Sequence, residues 1–255
     1  MTRCLSGSGA TSRVDKFQQV CQYHHRWSFK AIEPIRYTRR RAIGSRAQTL
    51  GPFPFFRMKQ RIAVLIDGGH LRSHLRKAKK SFVPDYIEKM AHGSALADEI
   101  IHRILCYDCR PFAGETTLPV SGTRKIFSGS DKFLHELSYK DLFAVRTGVL
   151  KFRGFILKSS RIPFTPTGPL TDNDFQAKFE QKGVDMRIGL DMATLSASRS
   201  VDLIALMTND TDCIPAMKHV RRAGLQLALV VVPGYKPSPE LLAHSDFRRN
   251  IAWPP

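Results

Sequence analysis

Short apolar runs of strand length, separated by stretches of helical patterning, constrain this chain more than any other feature. Residues 62–66 read Ile-Ala-Val-Leu-Ile, 103–107 Arg-Ile-Leu-Cys-Tyr, 202–207 Asp-Leu-Ile-Ala-Leu-Met and 225–232 Leu-Gln-Leu-Ala-Leu-Val-Val-Val. A continuous apolar run too short for a helix suits a strand covered on both faces, as in a parallel sheet. The pattern predicts helices over 71–80, 95–102, 130–140, 175–181, 185–196 and 215–223, the last closed by Gly224. Residues 143–150 and 151–159 alternate, which suggests strands or a hairpin around Gly148, while 111–120 and 160–174 read as loops. Strands alternating with helices predict a three-layer α/β/α fold with a mainly parallel central sheet.

Composition limits the function classes. Of 255 residues, 42% are hydrophobic and 24% charged, so wholesale disorder is excluded. No apolar run reaches the length that crosses a bilayer, so no membrane segment is expected. Five cysteines are too few for a disulfide scaffold and fit a reducing, cytoplasmic setting. Cys106 and Cys109 have C-x-x-C spacing, but no second pair follows to complete a zinc site. Forty Lys and Arg against 22 Asp and Glu give a net charge of +18, a surface that attracts polyanions. Residues 1–57 carry eleven of those cations and two acids without a sustained period, and read as a basic, disordered leader. The domain is expected over 58–255, and Met58 leads directly into the first strand.

In an open parallel sheet, ligands bind beyond the carboxyl ends of the strands. Asp67 ends the first apolar run, Asp210 and Asp212 follow the run 202–207, and Asp185 opens the helix 185–196. Each acid alone has a plain explanation as a turn residue, a helix cap or a first-turn charge. Together they form an acidic cluster in a basic chain, which is costly unless a cation sits within it. Carboxylate oxygens suit Mg²⁺ or Mn²⁺. An acidic centre with a basic rim is the layout expected of a metal-dependent nuclease, with Asn209, Arg72, Arg76 and Lys182 as candidate substrate contacts. For Arg72 and Arg76, a solvated helix face is an equally good reading.

Three segments resemble the NYN domain family in its LabA-like branch: 62–71 (Ile-Ala-Val-Leu-Ile-Asp-Gly-Gly-His-Leu), 182–192 (Lys-Gly-Val-Asp-Met-Arg-Ile-Gly-Leu-Asp-Met) and 206–215 (Leu-Met-Thr-Asn-Asp-Thr-Asp-Cys-Ile-Pro). The resemblance covers 59–232 and implies a PIN-like fold and metal-dependent endoribonuclease activity on RNA. It implies that Asp67, Asp185 and Asp210 bind metal and that Asp212 lies beside them. Asp191 matches the family's further acid. On a helix it lies about 240° around the axis from Asp185, off the metal-facing side. This chain has His70 where the family often has Asn, and Thr208-Asn209 where it usually has Ser-Gly. The alternative reading is a catalytically inactive RNA-binding or regulatory module on the same fold. Toprim and haloacid-dehalogenase readings fit less well: the first needs Glu at position 67, the second Asp at position 69, where the chain has Asp and Gly. The sequence leaves a homo-oligomer open.

Overall fold

Successive side chains of a strand point to opposite faces, so a fully buried strand feeds two cores at once. The central strand β1 (Gln60–Asp67) does this in the computed structural model, which describes residues 59–162 and 168–255. The expected leader over 1–57 lies outside the described residues. The chain continues through α1 (Gly68–Lys77), α2 (Pro84–His92), β2 (Glu99–Cys109), β3 (Gly114–Thr117), β4 (Arg124–Phe127), α3 (Lys132–Ser138) and β5 (Phe143–Leu157). It then forms β6 (Phe175–Lys182), α4 (Val184–Ser198), β7 (Leu203–Met207), α5 (Ile214–Arg222), β8 (Gln226–Val231), α6 (Pro239–Ala243) and β9 (Phe247–Asn250). Ile62, Val64 and Ile66 pack with Leu71, Leu75, Ile87 and Met90 beneath α1 and α2. Ala63 and Leu65 pack with Ile188, Met192, Met217 and Val220 beneath α4 and α5. The result is a three-layer α/β/α domain, as the alternation of elements predicts.

The seven-stranded sheet has the order β6-β5-β2-β1-β7-β8-β9 and is parallel except for β5 against β6; β3 and β4 form a separate antiparallel hairpin. Several local expectations are corrected. The helix expected at 95–102 is replaced by the start of β2, and the helix lies upstream in α2. There Pro84 occupies the first turn, where a missing N–H costs nothing, and Ile87, Met90 and Ala91 face the core at helical spacing. Residues 175–181 form β6, because Phe175, Ala177 and Phe179 alternate at the strand period and pair with β5. The hairpin suggested around Gly148 is one fifteen-residue strand. Gly148 serves close packing: an added Cβ would lie 2.8 Å from the Lys182 carbonyl oxygen and 3.0 Å from the Cys109 sulfur. The loop expected at 111–120 contains β3, and α6 and β9 add elements beyond those read from the sequence.

Gly68 has a similar reason to be glycine. It is the first residue of α1, and an added Cβ would stand 2.8 Å from the Tyr107 carbonyl oxygen and 3.0 Å from Asp108 Cγ. The first is backbone of the neighbouring strand and cannot turn away. Close approach of α1 to β2 therefore requires glycine here. Gly68→Ala should destabilise the domain by about 1–3 kcal/mol, measured as a lower denaturant midpoint at unchanged slope; an unchanged midpoint would contradict this packing argument.

Candidate functional site

The strand order creates the crevice. From β1 the chain moves to β2 on one side, and from β7 it moves to β8 on the other. Connections that diverge from adjacent parallel strands leave a gap above their carboxyl ends. β1 and β7 run in register there, Ile66 beside Met207, so Asp67 and Thr208 emerge together at the mouth. Asp185 is the second residue of α4 and reaches the same gap from its first turn. The cleft has a volume of about 340 Å³ and is lined by Asp67, His70, Gln181, Asp185, Asn209 and Asp210, among others.

Hydrogen bonds set the acids in place. Asp67 is buried, and its Oδ1 accepts from the His70 amide at 3.1 Å, capping α1. Its Oδ2 accepts from the Thr208 hydroxyl at 3.0 Å, and that hydroxyl oxygen accepts in turn from the Asp210 amide at 3.1 Å. Thr208 is fully buried and couples the ends of β1 and β7. Asp210 Oδ1 accepts from the Asp212 amide at 2.8 Å and caps the single 3₁₀ turn Thr211–Cys213. The capping role anticipated for this turn thus falls to Asp210, and Asp212 is left exposed beside it. Asp185, Asp210 and Asp212 each offer a carboxylate oxygen within 4.8 Å of the others. An all-oxygen set of this kind can hold a hard divalent cation.

Two acids of the cleft, Asp67 and Asp185, are shifted from their ordinary range. Burial raises the Asp67 carboxyl above its ordinary range against the opposing hydrogen bonds, and the Asp210 charge adds to the rise. Asp185 is raised by desolvation and then by the negative charges of Asp210 and Asp67. Part of each rise is thus repulsion between neighbouring carboxylates, which a cation among them would relieve. His70 is driven the other way. Its ring is buried with neither nitrogen hydrogen-bonded, and desolvation, then the neighbouring His74, lowers its pKa to about 4. It stands as a neutral aromatic wall, its ring centroid 4.4 Å from His74 and 4.7 Å from Tyr235.

The structure groups Asp185, Asp210 and Asp212, with Asp212 in the place expected of Asp67, while Asp67 and Asn209 line the same cleft and the three expected basic contacts lie elsewhere. Arg72 pairs with Asp108, a fully buried carboxylate, and lays its guanidinium 4.5 Å above the Phe82 ring. Arg76 is exposed on α1 outside the cleft lining, where Lys77 takes the place beside the acids. Lys182 pairs with Glu180 on β6. Asp191 accepts from the Tyr107 hydroxyl at 2.9 Å and from Arg146 at 3.0 Å, away from the acidic group. Thr208 and Gln181 escape sequence reasoning. Thr208 follows a buried strand directly, which is a usable signal; Gln181 has none.

No protein-family profile and no curated protein matches the chain. A solved protein of unknown function from Vibrio parahaemolyticus is similar at 18% identity and a TM-score of 0.43, over 76% of this chain and 94% of that one.

Two outcomes follow from this geometry. Thr208→Val should cost about 1–3 kcal/mol, because it leaves a buried Asp67 oxygen without its donor, whereas Thr208→Ser should stay close to wild type; equal unfolding midpoints for Val and Ser would refute the bridge. For His70, the folded pKa lies below the unfolded value, so its contribution to stability is full above about pH 6.5 and is lost as pH falls towards 4. His70→Phe should flatten that acid-side decline in a pH series of denaturation midpoints, and an unchanged slope would count against it.

Proposed function

We propose that this protein is a metal-dependent endoribonuclease of the NYN type, on a PIN-like version of the α/β/α fold. The observation that carries the reading is the meeting of Asp185, Asp210 and Asp212 within 4.8 Å at the sheet's crevice, in a chain of net charge +18. Such a chain attracts RNA, and the one strongly acidic place in the cleft is then where a cation would neutralise the approach of phosphate. Asp185, Asp210 and Asp212 would hold Mg²⁺ or Mn²⁺. When bound, the ion supplies Lewis-acid charge that activates water and offsets negative charge developing on the phosphoryl group. Asp67, fixed by Thr208, keeps the Asp210 turn in position and presents its charge to the same cleft. Asn209 and Lys77, which also line the cleft, would orient the phosphodiester. A cytoplasmic setting belongs to the same reading, supported by Cys106, Cys109 and Cys213 being buried free thiols.

A second reading keeps RNA binding without cleavage. It is favoured by the local work two of the acids already do: Asp67 caps α1 and Asp210 caps the 3₁₀ turn. Asp210→Asn separates the two readings, because the Asn carbonyl can still accept from the Asp212 amide while the charge is gone. In the nuclease reading, cleavage of a labelled mixed-structure RNA requires Mn²⁺ or Mg²⁺, stops in EDTA and falls at least about a hundredfold in Asp210→Asn. Mn²⁺ should also raise the unfolding temperature of the wild type and not of the variant. RNA bound in a salt-sensitive way but never cut, with no thermal shift by either ion, would favour the regulatory module.

A further inference from the structure

β5 runs past the end of its parallel neighbour. Its last partner on β2 is Cys109, opposite Gly148, and residues 149–157 continue beyond that point paired only with β6. This ribbon rises by roughly 30 Å from the edge of the sheet that holds the acidic cleft. On one face Phe152 lies directly opposite Phe179, and the β3–β4 hairpin side adds Phe112 and Phe127. Every pair of these four rings has centroids 5.6–5.8 Å apart. Yet none of the four is buried, and Phe179 is 37% exposed. A cluster of partly exposed aromatics on the face of a ribbon, near its base, does little as a core.

Its surroundings indicate the occupant. Lys125 places its ammonium 5.4 Å from the Phe127 ring. Lys151 and Lys178, next to Phe152 and Phe179 in their strands, are exposed on the other face of the ribbon, where Arg153 pairs with Glu180. Rings with cations beside them suit bases joined by phosphates. The cluster also leads to the acids. Gln181 shares its face of β6 with Phe179, about 7 Å further along, and its carboxamide lies over Gly69 in the wall of the cleft. That step is close to the spacing of one nucleotide in an extended strand.

We infer that the Phe112, Phe127, Phe152 and Phe179 cluster is a stacking platform for the bases of single-stranded RNA whose backbone passes on into the acidic cleft. The choice of RNA rests on the proposed function; the stacking itself does not require cleavage. An A-form duplex keeps its base faces covered, so the platform selects unpaired strands.

The test measures binding by fluorescence anisotropy in EDTA, with the full chain, so that cleavage plays no part. Probes are a labelled single-stranded RNA of about twelve nucleotides and a duplex of the same length. Phe127→Leu with Phe179→Leu keeps apolar bulk and removes two π faces, and Phe179→Leu alone serves if the double variant does not fold. Single-strand affinity should fall about tenfold while duplex affinity changes less than about twofold and the unfolding midpoint holds. Unchanged single-strand affinity in a folded variant overturns the platform and leaves the cluster as a protein contact. Equal weakening for strand and duplex overturns it too. Loss of binding in the variant with no cleavage by the wild type keeps the platform and removes the nuclease reading. Cleavage by a wild type whose variants bind normally does the reverse.

Discussion

The Thr208 hydroxyl sits between two parallel strands whose following connections lead to opposite sides of the sheet, donating to Asp67 at the end of β1 and accepting from the amide of Asp210 after β7. Everything that makes the cleft a candidate site depends on this junction. Strand order opens the crevice, parallel register brings Asp67 level with Thr208, and the buried hydrogen bond holds the acidic turn against the first strand. In a dry interior such a bond is also hard to give up, since a broken one leaves a carboxylate oxygen without a donor.

Around that junction the protein tolerates mutual repulsion that it avoids elsewhere. Asp108, equally buried, has Arg72 as a counter-charge, and Glu99 is held by both terminal nitrogens of Arg249. Burial raises the Asp67 and Asp185 carboxyls, and the charge of Asp210 adds to the rise in both. The contrast matters. Among the described residues, the buried acids Asp108 and Glu99 have counter-cations, whereas the cleft acids Asp67, Asp185 and Asp210 are held by hydrogen bonds and by one another's neighbourhood. Residual repulsion of that kind is what a divalent ion would remove.

The layered fold was legible because the buried strands β1, β7 and β8 are apolar runs with no room for a helix. The edge of the sheet was harder. β6 is polar on alternate positions and carries two Lys and two Gln, so its sequence reads equally as a short helix over 175–181. The sequence of β5 reads as two segments about Gly148 because glycine signals a turn, whereas here it admits the Lys182 carbonyl. Asp67, Asp210 and Asp212 could be placed from strand ends and Asp185 from the start of a helix, since topology fixes where those ends meet. The basic contacts could not. Whether Arg72 faces phosphate or Asp108 depends on a partner thirty-six residues away, and local pattern does not carry that information.

The central claim is that the acids at this crevice hold a divalent cation. The direct measurement is anomalous diffraction from crystals grown or soaked with Mn²⁺. The account predicts a peak among the carboxylates of Asp185, Asp210 and Asp212, lost in Asp210→Asn crystals of the same form. No peak at that position in the wild type under saturating Mn²⁺, with the cleft open to solvent, would contradict it and leave the acids as caps and turn residues.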